Sequence, residues 1–203
     1  ASLLEDADRI DDLLVSRGGV DEPSQARTVR KQVLRDVNSP RTTSAGRFLD
    51  AVSALLGIVT ERTYEGEPAM ALEAVAEGAE PIPGSVPYDE RAGNQTLDVA
   101  ALARRLVELR ETHSRAAVAA TAQDRLARGL GSIAVAAAKA REIDAVGFSG
   151  GVAYNEAITR TLRQVVEGAG LTFLDHDRVP PGDAGIAYGQ AIVATNRAMG
   201  DEE

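Results

Sequence analysis

The sequence predicts a helix-rich α/β fold with a short parallel sheet. Three observations carry that expectation. Residues 143–193 read as strand, turn, helix, strand, loop and helix, the pattern of a parallel unit closed by a right-handed crossover. The residues before them place apolar side chains at helical spacing between Gly, Pro and Asn-Ser-Pro punctuation. At 44 % hydrophobic and 26 % charged, the 203-residue chain has ordinary globular usage and material for one large domain or two small ones.

The elements follow in chain order. Leu3, Leu4, Ile10, Leu13 and Leu14 mark an amphipathic stretch that Gly18-Gly19 ends. Pro23 can start a second helix with Val29, Val33 and Leu34 on one face, and Asn38-Ser39-Pro40 stops it. Thr43 or Ser44 can cap a third helix, through Phe48, Val52, Leu55 and Leu56, with Gly57 at its end. Ile58-Val59-Thr60 is β-prone, and Glu65-Gly66-Glu67-Pro68 turns into a helix through Met70, Leu72 and Val75. Residues 78–97 hold Gly78, Pro81, Pro83, Gly84, Pro87 and Gly93 and read as a loop. Asp98 can cap a helix through Leu102, Leu106 and Leu109. An alanine-rich helix follows from Ser114 to Arg141, weakened by Gly129 and Gly131 at about 1 kcal/mol each relative to Ala. Ile143 to Phe148 is a buried-type strand, Ser149-Gly150-Gly151-Val152 a tight turn, and Asn155 to Glu167 an amphipathic helix stopped by Gly168 to Gly170. Leu171 to Leu174 is a second strand, and Pro180-Pro181-Gly182-Asp183 leads into a final helix carrying Ile186, Ile192 and Val193.

Composition narrows the function. With 31 acidic against 22 basic residues, the net charge is −9, which disfavours attraction to nucleic acid or an anionic membrane. There is no Cys, so disulfides, zinc fingers and cysteine nucleophiles are excluded. His113 and His176 are the only histidines, too few for a histidine metal cage. No Trp is present and aromatics are 3 %, which removes base-stacking platforms. No run of about 18 apolar residues predicts a membrane span. The start, Ala1 to Asp6, is acidic, unlike a signal peptide, and lacks Met, which suggests a fragment or a processed chain. Lys31 and Lys139 are the only lysines, a bias of composition that carries no mechanism.

Five residues or segments carry chemistry, each with a plainer alternative. Ser149-Gly150-Gly151-Val152 either brings backbone N–H groups to a phosphate or only supplies a flexible connection. Asn155, one turn into the next helix, either donates to a ligand or faces solvent. Asp183 either binds a divalent metal at the mouth of a β–α loop or caps the helix that follows. Asp50, four residues after Gly46, either holds ribose hydroxyls or pairs with Arg47. Asp175-His176-Asp177-Arg178 has the look of a site but reads, in a loop after a strand, as a solvated charge cluster, while His113 reads as a helix-start residue.

Together these stretches resemble one family. Residues 38–52, read NSPRTTSAGRFLDAV, resemble the "TSS-GRLFDAV" helix of HypF, the carbamoyltransferase of nickel–iron hydrogenase maturation. Tyr64 to Ala69 resembles its "YEGQAA", Phe148 to Asn155 its "LSGGVFQN", and Val179 to Ala191 its "VPPNDGGLALGQA". Order and spacing agree from about residue 33 to 195. The chain departs from the pattern with Phe48-Leu49 in a permuted order, Glu67 for Gln, Gly182 for Asn and Ala184 for the first Gly of "DGG". The family's acylphosphatase-like domain, cysteine zinc fingers and YrdC-like domain have no counterpart here. Neither does the proximal half of its last domain, with two metal-binding histidines.

The resemblance implies the distal part of an actin/Hsp70-like (ASKHA) ATPase domain, shared with TsaD-type threonylcarbamoyl transferases. It divides the chain into a helical lead-in, 1–40, and the distal part of that domain, 41–203. It implies a site for ATP or carbamoyl-adenylate, with Ser149, Gly150 and Gly151 facing phosphate and Asn155, Asp50 and Glu65 around the nucleoside. Asp183 would be a metal ligand, to Mg, Zn or Fe, with the histidines supplied from outside this chain. The partners implied are a HypE-like acceptor, whose C-terminal Cys takes the carbamoyl group, and the missing proximal half. A cytoplasmic location goes with them. No residue of this chain is an evident nucleophile. The competing expectations are a non-catalytic nucleotide-binding or docking module on the same fold, and a TsaD-like partner in tRNA modification.

Overall fold

A computed structural model describes residues 7–91 and 94–200. Leu3, Leu4, the acidic start and Gly93 lie outside the described residues, as does the side chain of Ile10. The chain forms two compact units, residues 1–129 and 130–203.

In the first unit, α1 (Ala7–Ser16) ends where Gly18 takes φ +72°, a conformation that suits glycine. Pro23 opens α2 (Pro23–Leu34), with Gln25 Oε1 accepting the backbone N–H groups of Asp21 and Glu22. An Arg30–Asp11 ion pair at 3.0 Å ties α2 to α1. The expected apolar face of α2 is not buried: Ala26 is the fully buried position, while Val33 and Leu34 are exposed.

Ser44 caps α3 (Ala45–Leu55), its Oγ accepting from Arg47 N. Phe48, Leu49, Val52 and Leu56 are buried along this helix, which packs on α4 (Glu67–Ala76). The expected strand at Ile58-Val59-Thr60 does not form. Gly57 at φ +62° donates to Ala54 O and Ile58 donates to Ser53 O, so the segment closes a Schellman cap.

The region read as loop contains an antiparallel hairpin, β1 (Tyr88–Arg91) with β2 (Asn94–Leu97), Tyr88 pairing with Leu97. Asp98 caps α5 (Val99–Leu109) by accepting from Ala101 N at 2.9 Å. Leu102, Leu106 and Leu109 are buried as their spacing requires. The alanine-rich α6 (Arg115–Ala140) is unbroken over 26 residues. Its glycines are close-approach points rather than weak points. A Cβ on Gly129 would lie 2.8 Å from Leu97 Cδ1, and one on Gly131 3.0 Å from Val165 Cγ1. Packing offsets the helix propensity lost there.

The second unit carries the parallel sheet. β3 (Ala145–Gly147) pairs with β4 (Thr172–Leu174) in the register Ala145–Thr172, Val146–Phe173 and Gly147–Leu174. A one-turn 3-10 helix, Gly151–Tyr154, separates β3 from α7 (Glu156–Gly168). Ile158, Leu162 and Val166 bury one face of α7, and Gly170 at φ +80° turns the chain into β4. The last helix is α8 (Ala184–Gly200). Ile186, Ile192 and Val193, the apolar residues that mark this helix in the sequence, are 57 %, 46 % and 52 % exposed.

Candidate functional site

The sheet is short, but it sets two loops side by side. Parallel strands point their carboxyl ends the same way, and ligands in open α/β sheets bind beyond those ends. The turn after β3 is Ser149-Gly150-Gly151, and the loop after β4 runs from Asp175 to Asp183. Four contacts clasp them. Gly150 N donates to Pro181 O at 2.8 Å, and Ser149 Oγ lies 3.3 Å from the same carbonyl. His176 Nε2 lies 2.8 Å from Ser149 Oγ. The Tyr154 ring covers Gly182 so closely that a Cβ there would meet Tyr154 Cε2 at 2.7 Å.

The two glycines of the turn differ. Gly150 has φ +98° and ψ 176°, a region reserved for glycine. Gly151 has no such need. A Cβ on it would meet nothing within 4 Å, and its φ is not in the left-handed range. Its N–H has no partner among the described residues. Packing therefore gives no reason for glycine at 151, and the space beside it is open.

Asn155 is not one turn into a helix. It is the N-cap of α7, 6 % exposed, with Oδ1 accepting from Ile158 N at 2.8 Å. The 3-10 turn before it displaces the helix start. Asp183 is exposed, and its carboxylate makes no hydrogen bond or ion pair among the described residues, so it does not cap α8 through its side chain. No group of three metal-ligating side chains occurs among the described residues. One free carboxylate does not by itself make a metal site, so a metal held by Asp183 would need its other ligands from outside the described residues.

Asp50 and Glu65 belong to the first unit. Asp50 pairs with Arg47 at 3.2 Å, the plainer of its two readings. Glu65 is exposed with no polar partner among the described residues. Glu67, where the resemblance has Gln, is turned to a local task. Its carboxylate accepts the backbone N–H and the hydroxyl of Thr63. The backbone N–H is the larger cause that holds its carboxyl below the ordinary value of 4.5, the hydroxyl a lesser one.

Sequence reasoning missed the clasp. It set His176 aside as part of a charge cluster, and it did not connect Gly182 with Tyr154. The cluster is in part structural: Asp175 pairs with Arg163 of α7, whose guanidinium lies 4.8 Å from the Phe173 ring centroid.

A family model described as "Carbamoyltransferase, Kae1-like Domain, second subdomain" matches residues 2–190. The chain belongs to the HypF carbamoyltransferase family. Among its relatives, the probable carbamoyltransferase HypF of Methanocaldococcus jannaschii is 37 % identical over 169 residues, 83 % of this chain and 22 % of that protein. The crystal structure of T. kodakarensis HypF superposes with a TM-score of 0.74 at 34 % identity, over 88 % of this chain and 23 % of that one. A full-length HypF solved in its phosphate- and nucleotide-bound form has a TM-score of 0.79 at 24 % identity, over 96 % of this chain and 25 % of that one. The last likeness speaks to the fold. The chain thus spans about a quarter or less of the length of these HypF proteins.

Proposed function

We propose that this chain contributes part of a nucleotide site to a HypF-type carbamoyl transfer, with the Ser149-Gly150-Gly151 turn facing the phosphates. The observation that carries this is Gly151: its N–H is unpartnered among the described residues, and the space its missing side chain leaves is open. Backbone donors fixed before the ligand arrives stabilise phosphoryl charge without reorganising, which is how a site of this kind lowers a barrier. In the reaction of this reading, carbamoyl phosphate, water and ATP give carbamoyl-adenylate with release of phosphate and pyrophosphate, and the carbamoyl group then passes to the C-terminal cysteine of a HypE-like acceptor with release of AMP. The roles of this chain are electrostatic and positional. Gly150 shapes the turn, Gly151 and Ser149 offer donors, and Asn155 fixes the start of α7 behind them. Asp50 and Glu65, both in the first unit, are proposed as nucleoside contacts on the family resemblance alone. Asp183 is proposed as one carboxylate of a metal site whose other ligands lie outside this chain, and no step is assigned to the metal. An actin/Hsp70-like fold entered through a lead-in over residues 1–40, and a cytoplasmic location, go with this reading.

The test is calorimetry with ATP and with carbamoyl-adenylate, in Mg²⁺, on the wild type, Gly151→Val and Asp183→Ala. Binding by the wild type that weakens about tenfold or more in Gly151→Val, the loss of about one good hydrogen bond, supports the reading. No binding by the wild type rejects a site in this chain. Binding unchanged in both variants rejects the residue assignments.

A second reading, a module that docks onto a separate remainder of its domain, is favoured by one observation. Ile186, Tyr188, Ile192 and Val193 leave α8 with a row of exposed apolar side chains. A tRNA-modifying role is the less supported alternative, because the net charge of −9 opposes contact with RNA.

A further inference from the structure

The reading above leaves the Ser149–His176 contact without a task. His176 Nε2 and Ser149 Oγ are 2.8 Å apart, and the same hydroxyl is 3.3 Å from Pro181 O. A hydroxyl has one proton and cannot donate to both. When Nε2 is bare, the serine proton turns to the imidazole. When Nε2 carries a proton, the imidazole donates to Oγ, and the serine proton is released toward Pro181 O or toward a ligand. Both residues are exposed at the mouth of the two loops.

The charges around the imidazole are few. On its own loop stand Asp175, Asp177 and Arg178, and Arg163 of α7 engages Asp175. The turn from Ser149 to Asn155 has no charged side chain, and Asp183 is the one charge at the start of α8. A phosphoryl group entering here would meet Ser149 and His176 together. Either the neutral Nε2–H tautomer or the imidazolium frees the serine proton for the anion, and the negative charge of the anion favours the imidazolium of the two.

We propose that Ser149 and His176 form a proton-linked contact for a phosphoryl group. Anion binding draws a proton from solvent onto the imidazole, and the serine hydroxyl then donates to the anion. No covalent bond forms or breaks. The proposal rests on the nucleotide reading of the Ser149-Gly150-Gly151 turn. The sign follows from linkage: the bound anion stabilises the charged imidazole, so affinity is highest at low pH and is lost as pH rises.

The test is ATP calorimetry on the full chain at pH 6, 7 and 8, in PIPES and in Tris, buffers of low and high ionisation enthalpy. The wild type should take up more protons per bound ATP than His176→Gln, and ATP's own protonation cancels in that difference. Wild-type affinity should fall by up to about tenfold per pH unit, the limit for one linked proton. It should fall less steeply in the variant. Ser149→Ala should keep the uptake but bind more weakly, and adenosine should show no uptake. Equal uptake in wild type and His176→Gln would overturn the proposal and leave the nucleotide reading standing. Absence of ATP binding would overturn both. His176 is exposed and outside regular structure, so the Gln variant has no core contact to lose.

Discussion

Gly150 and Gly151 are chemically identical neighbours in different settings, and substitution separates them. Gly150→Ala forces a side chain into φ +98° and should cost about 1–3 kcal/mol of stability, read from the urea midpoint. Gly151→Ala meets only open space, so stability should change by less than about 0.5 kcal/mol. ATP affinity should fall in both. The Gly-Gly pair was legible as a turn from the sequence, but not which glycine serves the backbone and which the space beside it. That division depends on how the chain leaves β3. Asn155 and Asp183 show the same limit. Each was weighed by its place near a predicted helix start, and only the 3-10 turn before α7 shows that Asn155 caps that helix. The His176–Ser149 contact joins positions 27 residues apart, and no local pattern announces it.

Among the elements, those closed by local bonds were readable and those set by distant packing were not. Ser44, Asp98 and Gly57 cap helices through neighbours within five residues, so the sequence located Asp98 and Gly57 and narrowed the third cap to Thr43 or Ser44. The Ile58–Thr60 strand failed for a local reason too. The N–H of Ile58 is already committed to Ser53 O and is not free for a ladder. The β1–β2 hairpin was hidden by the Pro and Gly around it, and its strands are exposed, with little apolar alternation. The glycines of α6 are explained only by Leu97 and Val165, which lie far off in sequence. At the start of α4, Glu67 yields a prediction with a sign. Its folded carboxyl titrates below the usual range because Thr63 holds the charged form. Its contribution is therefore complete above about pH 4.5 and is lost as pH falls through the lowered folded value. Glu67→Gln should lower the urea midpoint at pH 7 and match the wild type near pH 2.

For the whole molecule, the family and fold class were legible because four motifs keep their order and spacing. The burial of α8 was not. Periodicity shows that a helix has an apolar face, and only the neighbours decide whether that face is covered. With Ile186, Tyr188, Ile192 and Val193 about half exposed, this chain alone should self-associate as its concentration rises. Sedimentation velocity on the wild type and on Ile192→Glu tests this. The variant should stay monomeric at concentrations where the wild type does not, with an unchanged thermal midpoint because no core contact is lost. Wild type and variant sedimenting alike would show that the face is inert.

The β3–β4 pair also sets an order of events. It offers three residue pairs, and its partners are joined only through the whole of α7. Closing a loop of that length costs about 3 kcal/mol of chain entropy. So short a parallel ladder does little more than offset that cost, because each net hydrogen bond contributes only about 1 kcal/mol. The margin that holds it closed comes from the burial of Ile158, Leu162 and Val166. The two loops beyond the carboxyl ends of the strands are thus among the last parts of this unit to acquire their shape. Any change that slows the docking of α7 delays the site before it touches a single residue in it.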